Sequence, residues 1–92
     1  MAKITIERPH NLGREVAREK AEQLAERLAR QYDVRYRWNG DSLEFKRSGA
    51  DGRIEVHENS VRVQLSLGLL LSAMSSSIKR EIEEVLDKNL QA

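Results

Sequence analysis

Residues Val61 to Met74 read VRVQLSLGLLLSAM, and this stretch decides the fold. Val61, Val63, Leu65 and Leu67 alternate with Arg62, Gln64 and Ser66, the period-two pattern of a strand with one buried face. Past Gly68 the apolar spacing becomes helical, through Leu71, Met74, Ile78, Ile82 and Val85. The stretch therefore reads as the last strand of a sheet running into a closing helix. A strand and a helix that share one core need the remaining elements packed on the same two layers.

Working outward, the preceding residues supply them. Lys3 to Arg8 alternates Ile4 and Ile6 with polar neighbours, a short first strand that Pro9 ends because proline cannot donate to a ladder. Asn11 is expected to cap a helix running from about Gly13 to Tyr32, with Glu15 in its first turn. Ala17, Ala21, Leu24, Leu28 and Tyr32 form its apolar stripe, with Ala25 at the edge, and Arg18/Glu22 and Glu26/Arg30 are spaced for i,i+4 ion pairs. The small alanines let that helix sit close to a sheet.

Val34, Tyr36 and Trp38 then alternate with Arg35 and Arg37, and Asn39-Gly40 signals a hairpin. Leu43 and Phe45 continue the inward face, Ser48 to Gly52 make a turn whose glycines allow positive φ, and Ile54 and Val56 face inward again. Glu58-Asn59-Ser60 returns the chain to Val61. The closing helix is expected over about Leu69–Leu90. Ser75-Ser76-Ser77 are weak helix formers that could mark a break, with one serine capping a second segment, but the stripe keeps its phase across them, so one continuous helix is expected.

The order is then β-α-β-β-β-β-α. Every strand is apolar on one side only, so an α+β two-layer sandwich follows, an antiparallel sheet with both helices on one face. Ninety-two residues make a single domain, 1–92, with one modest core. The net charge of +1 sets up no field that would recruit nucleic acid or anionic lipid across the whole molecule. The absence of cysteine removes disulfide and thiolate chemistry. The opening residues lack the apolar core of a signal peptide, and the run Leu65–Met74 is far shorter than the ~20 residues that span a bilayer. A cytoplasmic protein is expected.

No catalytic constellation emerges. His10 and His57 lie far apart in sequence; His10 is read as helping to cap the first helix and His57 as pointing to solvent. Two such histidines without cysteine do not make a closed zinc site. The carboxylates Glu81, Glu83, Glu84 and Asp87 read as a solvated helix face, and Gly49-x-x-Gly52 reads as turn geometry. Tyr36, Trp38 and Phe45 alternate with the aliphatics, which places them in the core, Trp38 largely buried, and not on a base-stacking platform. Arg35, Arg37, Lys46, Arg53 and Arg62 scatter over the open sheet face among Glu44 and Glu55, a mixed solvated surface. No catalytic residue, cofactor or metal is expected.

Helix, antiparallel strands, helix is also the order of double-stranded-RNA-binding domains, which grip phosphates with lysines at the start of the second helix. Here that position reads LLLSAMSSS, with Lys79 and Arg80 only later, so nucleic acid is not the expected partner.

Taken together, the blocks His10-x-Leu12-Gly13, Tyr36-x-Trp38-x-Gly40-Asp41, Phe45-x-Arg47-Ser48-Gly49 and Leu67-Gly68-x-Leu70-Leu71 give a clear likeness. With Ala17, Ala21, Leu24 and Leu28 before them and Gly52, Ile78, Ile82 and Leu86 among and after them, the chain resembles the polyhydroxyalkanoate-system, or granule-region, family. That resemblance implies a non-enzymatic accessory protein of polyester storage granules or of the enzymes that make and mobilise the polymer. It carries no catalytic residues. The order also resembles a reduced helix-grip fold, whose larger relatives hold apolar ligands between sheet and helix. At this size the core side chains are expected to fill that space.

One feature of the closing helix stands outside its core stripe. Leu69 falls opposite the stripe, near Ala73, and Leu70 lies on its flank. Either Leu69 covers the end of the sheet, or Leu69, Leu70 and Ala73 form an apolar patch that meets a second subunit, making a homodimer, or a granule-associated surface.

Overall fold

The computed structural model describes residues 2–90. Its elements are β1 (Ala2–Pro9), α1 (Arg14–Tyr32), β2 (Arg35–Asn39), β3 (Ser42–Arg47), β4 (Ala50–Val56), β5 (Ser60–Leu67), α2 (Leu69–Ser72) and α3 (Ser75–Asn89). The strands form one open antiparallel sheet in the order β1-β5-β4-β3-β2. Three tight connections build the meander β2 to β5. The first strand then joins the far edge, because α1 carries the chain across the sheet. α1 packs over β2, β3 and β4, and α3 packs on β1 and against α1, so both long helices cover one face.

Register explains why that face is the apolar one. Ile6, Val63, Ile54, Leu43 and Trp38 lie in one row across the five strands, and Ile4, Leu65, Gly52, Phe45 and Tyr36 in the next. A slip of one residue in any strand would turn its whole apolar set to solvent. Ala17, Ala21, Leu24, Ala25 and Leu28 of α1, and Ile78, Ile82, Val85 and Leu86 of α3, close over those rows. The opposite sheet face is polar, with Arg53 on Glu55 at 2.8 Å and Arg37 on Glu44 at 3.7 Å. Mixed charge is what the alternation anticipated there.

Several local expectations change. The helix starts at Arg14 with Gly13, not Asn11, at the N-cap position, and no side chain caps it. The His10 ring, expected to help cap the helix, instead orders the turn before it: its Nδ1 accepts the Leu12 N–H at 3.2 Å, and its Nε2–H donates to the His57 carbonyl at 3.1 Å. His10 is buried, and with its own N–H donating to the Asn59 carbonyl it ties the β1–α1 turn to the β4–β5 turn. At the other end of α1, Asp33 adopts φ 59°, the left-handed cap that aspartate tolerates, and its N–H bonds the Ala29 carbonyl. The Arg47 guanidinium donates to the Tyr32 carbonyl, placing a cation at the negative end of the helix.

The β3–β4 turn is shorter than the sequence suggested. Arg47 already pairs with Ala50, so only Ser48 and Gly49 turn, and Gly49 alone takes positive φ, at 85°. Ala50, Asp51 and Gly52 belong to the strand. Gly52 is required for a different reason than chain reversal. A Cβ at this position would lie 2.2 Å from the Gln64 carbonyl oxygen and 2.9 Å from the Leu65 Cα of the adjoining strand. β4 and β5 come together here more closely than any side chain permits.

The largest correction is to the closing helix, which is two helices. α2 makes a single turn and stops: the Ser72 hydroxyl donates back to the Gly68 carbonyl at 2.7 Å, and the Met74 N–H reaches only three residues back, to the Leu71 carbonyl. Met74, at φ −101° and ψ 8°, then redirects the backbone into α3. None of the three serines caps α3 by a side-chain bond.

Two substitutions test these assignments. Gly52→Ala is expected to destabilise by about 3 kcal/mol or more in urea unfolding, since neighbouring backbone cannot yield as a flexible side chain can. The double reversal Arg35→Glu/Arg37→Glu, on the solvated face, is expected to change stability by within about 0.5 kcal/mol per site.

Candidate functional site

Two groups of side chains were candidates: the aromatics and carboxylates between sheet and helices, and the apolar residues at the start of the closing segment. The first group proves to be structural. Trp38 is half-buried at the β2 edge, not enclosed under the helices as expected. Its Nε1–H donates to Glu22 Oε1 at 2.7 Å and the Arg18 guanidinium lies 4.1 Å above its ring. Being on an edge strand, it has a helix over it and no strand beyond it. Arg18 and Glu22 are thus engaged with Trp38, and Arg18 also with Asp41 at 2.9 Å and the Gly40 carbonyl; the expected pairing of these two residues along the helix is replaced by ties across elements.

The carboxylate run on α3 is also not simply solvated. Glu81 accepts the Tyr32 hydroxyl at 3.0 Å and Arg27 at 3.2 Å, joining α3 to α1. Asp87 and Glu83 take Arg8 at 2.9 and 3.4 Å, joining α3 to β1. Arg8 shares the inward parity of Ile4 and Ile6, so its guanidinium reaches up to the helix. The hydrogen bond it donates to Asp87, and the charges of Asp87 and Glu83, hold its pKa above the ordinary value despite opposing burial. Burial, and then the bond and charge of Glu81, push the Tyr32 phenol above its ordinary value. Among the described residues no three His, Asp or Glu side chains gather as a metal site.

The space between the layers is filled. Leu28, Tyr32, Val34, Phe45, Leu65, Leu67, Leu71 and Ile78 line a crevice of only about 30 Å³. Pockets for small molecules run to several hundred Å³.

The second group presents a different picture. The Gly68 N–H donates to the Gly49 carbonyl at 2.7 Å, clamping the start of α2 to the β3–β4 turn. Gly49 sits so near that a Cβ on Gly68 would lie 3.2 Å from its oxygen. Leu71 turns inward onto the crevice and anchors the short helix. Its neighbours turn outward. Leu69 is 83% exposed, Leu70 is 90% exposed, and Ala73 is exposed beside them. Leu69 therefore does not cover the end of the sheet. Met74, which periodicity assigned to the core stripe, is 42% exposed and joins the same surface, because the break before α3 shifts the helical phase. Only a break near Ser72 in the sequence reading would have released Met74 from the core.

Residues 4–90 match the family described as "Putative polyhydroxyalkanoic acid system protein". The chain belongs to that family. The family match spans nearly every described residue, so both α2 and the two-layer scaffold lie inside it. The fold also occurs in the NMR structure of PA4090 from Pseudomonas aeruginosa, at 8% sequence identity and a TM-score of 0.66, over 100% of this chain and 88% of that one. At that identity the likeness is one of fold. A comparison with curated protein sequences finds no match. No helix among the described residues of this polyhydroxyalkanoic acid system family member is long and apolar enough to cross a membrane.

The ties between elements have measurable consequences. A phenol whose folded pKa is raised contributes stability that is complete below its unfolded value of about 10 and is lost as pH rises through the folded value. Tyr32→Phe is expected to cost about 1 kcal/mol at neutral pH and to lessen the loss of stability above about pH 10, as followed by urea unfolding at each pH. Trp38→Ala is expected to cost about 2 kcal/mol, less than for a fully buried indole, with a melting curve as the readout.

Proposed function

We propose that this protein is a non-enzymatic accessory of a polyhydroxyalkanoate system, cytoplasmic, and that it works by docking onto the storage granule or its associated machinery. Family membership over residues 4–90 supports the association with the polymer. The observation that carries a docking role is the α2 surface, where Leu69 and Leu70 stand almost wholly in solvent on a scaffold whose other large apolar side chains are mostly buried or half-buried. Adjacent leucines left out of a core this small give up hydrophobic stabilisation of about 1.5–3 kcal/mol each, which a contact surface would recover.

Holding a small apolar ligand between the layers is disfavoured by the same geometry, since the crevice there is about 30 Å³. Duplex RNA is disfavoured too, because Leu69 and Leu70 project at the start of the closing segment, where a phosphate backbone would leave them in water.

Cells making the tagged protein, grown with and without polymer accumulation, test the proposal by fractionation on a density gradient. The protein is expected to move with the granules when they are present and to stay in the soluble fraction otherwise. The variant Leu69→Asp is expected to leave the granule fraction while its melting temperature stays within a few degrees of wild type. Unchanged distribution in cells with and without polymer would refute the association.

A further inference from the structure

The charge around α2 differs from the charge elsewhere, and the difference indicates what the leucines meet. From Asn59 to Arg80 the chain contains no carboxylate. The clamp from Gly68 to Gly49 brings the β3–β4 turn, with Lys46 and Arg47 before it, against the start of α2. Strand pairing sets Lys3 opposite Ser66, at the same end of the sheet. Lys79 and Arg80 follow within the first two turns of α3. Among the described residues none of these five cations is in an ion pair; Arg47 is engaged with the Tyr32 and Ser48 carbonyls, which leave its charge uncancelled. The carboxylates at or near this end are Asp33, Asp51, which stands opposite Lys46 in the β3–β4 register, and Glu81, held by Arg27; one helical turn beyond Lys79 and Arg80 lie Glu83, held by Arg8, and Glu84, so cations remain in excess.

At the opposite end several cations are held by carboxylates. Arg14 and Arg18 share Asp41, Arg14 also reaches Glu58, and Arg8 is held by Asp87 and Glu83. The molecule is 36 Å long, so the near-neutral total conceals a cationic, leucine-tipped end.

We propose that this end is an interfacial anchor for an anionic lipid surface, with Leu69, Leu70 and Met74 entering the acyl layer and Lys3, Lys46, Arg47, Lys79 and Arg80 meeting the headgroups. The proposal rests on the reading of α2 as the docking surface and names what covers it. Exposed apolar side chains ringed by cations are the composition that binds such surfaces, each contribution alone being weak. A second copy of the chain is a poorer occupant: an isologous contact would bring the two cationic rims together, and one helical turn falls well short of the ~800 Å² per partner of a stable interface. A protein groove is poorer as well. Leu69 and Leu70 are adjacent on one turn, so they project about 100° apart, and both are almost wholly exposed, which suits a fluid layer better than a shaped pocket.

Sedimentation of the purified protein with phosphatidylcholine vesicles, with and without about a third phosphatidylglycerol, tests this. Binding is expected only with the anionic lipid, weakening several-fold as NaCl rises from about 0.05 to about 0.5 M. Leu69→Asp/Leu70→Asp and Lys79→Glu/Arg80→Glu are each expected to lower binding about tenfold or more, with melting temperatures near wild type. Absence of binding to anionic vesicles at low salt overturns the inference, as does binding that both double variants retain. A concentration-dependent dimer that Leu69→Asp/Leu70→Asp abolishes overturns it in favour of a second copy. Granule fractionation separates the two proposals. A protein that tracks granules but ignores vesicles loses the lipid anchor and keeps the accessory role. One that binds vesicles but never granules keeps the anchor and loses that role.

Discussion

The constraint on which the rest depends is that a five-stranded sheet with one apolar face must have that face covered. Five strands spaced at about 4.8 Å make a layer roughly 20–24 Å wide, and helices pack side by side at about 8–10 Å. Two helices therefore fit, and α1 and α3 occupy the width between them. The alanines at 17, 21 and 25, all essentially inaccessible, let α1 lie low on β2, β3 and β4. What remains beyond two helices has no sheet to cover. That is why Tyr36 and Trp38, on the edge strand, are only half-buried, and why α2, at the end of β5, has leucines in solvent.

The helices themselves are poorly capped by side chains, and the polar groups that might have capped them are used between elements. His10 fastens two turns to each other, Arg47 closes the end of α1, and Tyr32 with Glu81 ties α1 to α3. Arg8 fastens α3 to the outer strand β1. Each exposed pair is worth little alone. Their common effect is to hold the two helices in register over the sheet, which the apolar contacts, being non-directional, do not specify. Carboxylates that looked like a free acidic face are in this way committed to structure.

The likeness to PA4090 at 8% identity illustrates how little of such a fold depends on particular side chains. Alternation in the strands, a stripe in each helix and tight turns suffice, and many sequences meet those terms. Function is better sought in what the scaffold does not need. By that criterion α2 stands out: its Gly68 and Leu71 anchor it, and its remaining apolar residues contribute nothing to the core.

The sequence alone determined the strands, the first helix, their order and the single apolar face, because these depend on period and spacing that are local along the chain, and its motif blocks carried the resemblance to the family. It also located Leu69, Leu70 and Ala73 off the core stripe, since helical phase can be counted. The tertiary structure decided what depends on partners distant in sequence. Gly52 looked like a turn glycine until β5 was seen to press against it, and Trp38 looked like core until β2 proved to be the sheet edge. Arg18 and Glu22 had the spacing of a pair, but Trp38, 16 residues beyond Glu22, offered each a better contact. The break after Ser72 was the hardest to read. It turns on one hydroxyl bonding back to Gly68 and on a clamp to Gly49, and no periodicity records either. The cationic setting of α2 is tertiary for the same reason: Lys3, Lys46 and Lys79 lie far apart along the chain, and only the sheet register and that clamp bring them to one end.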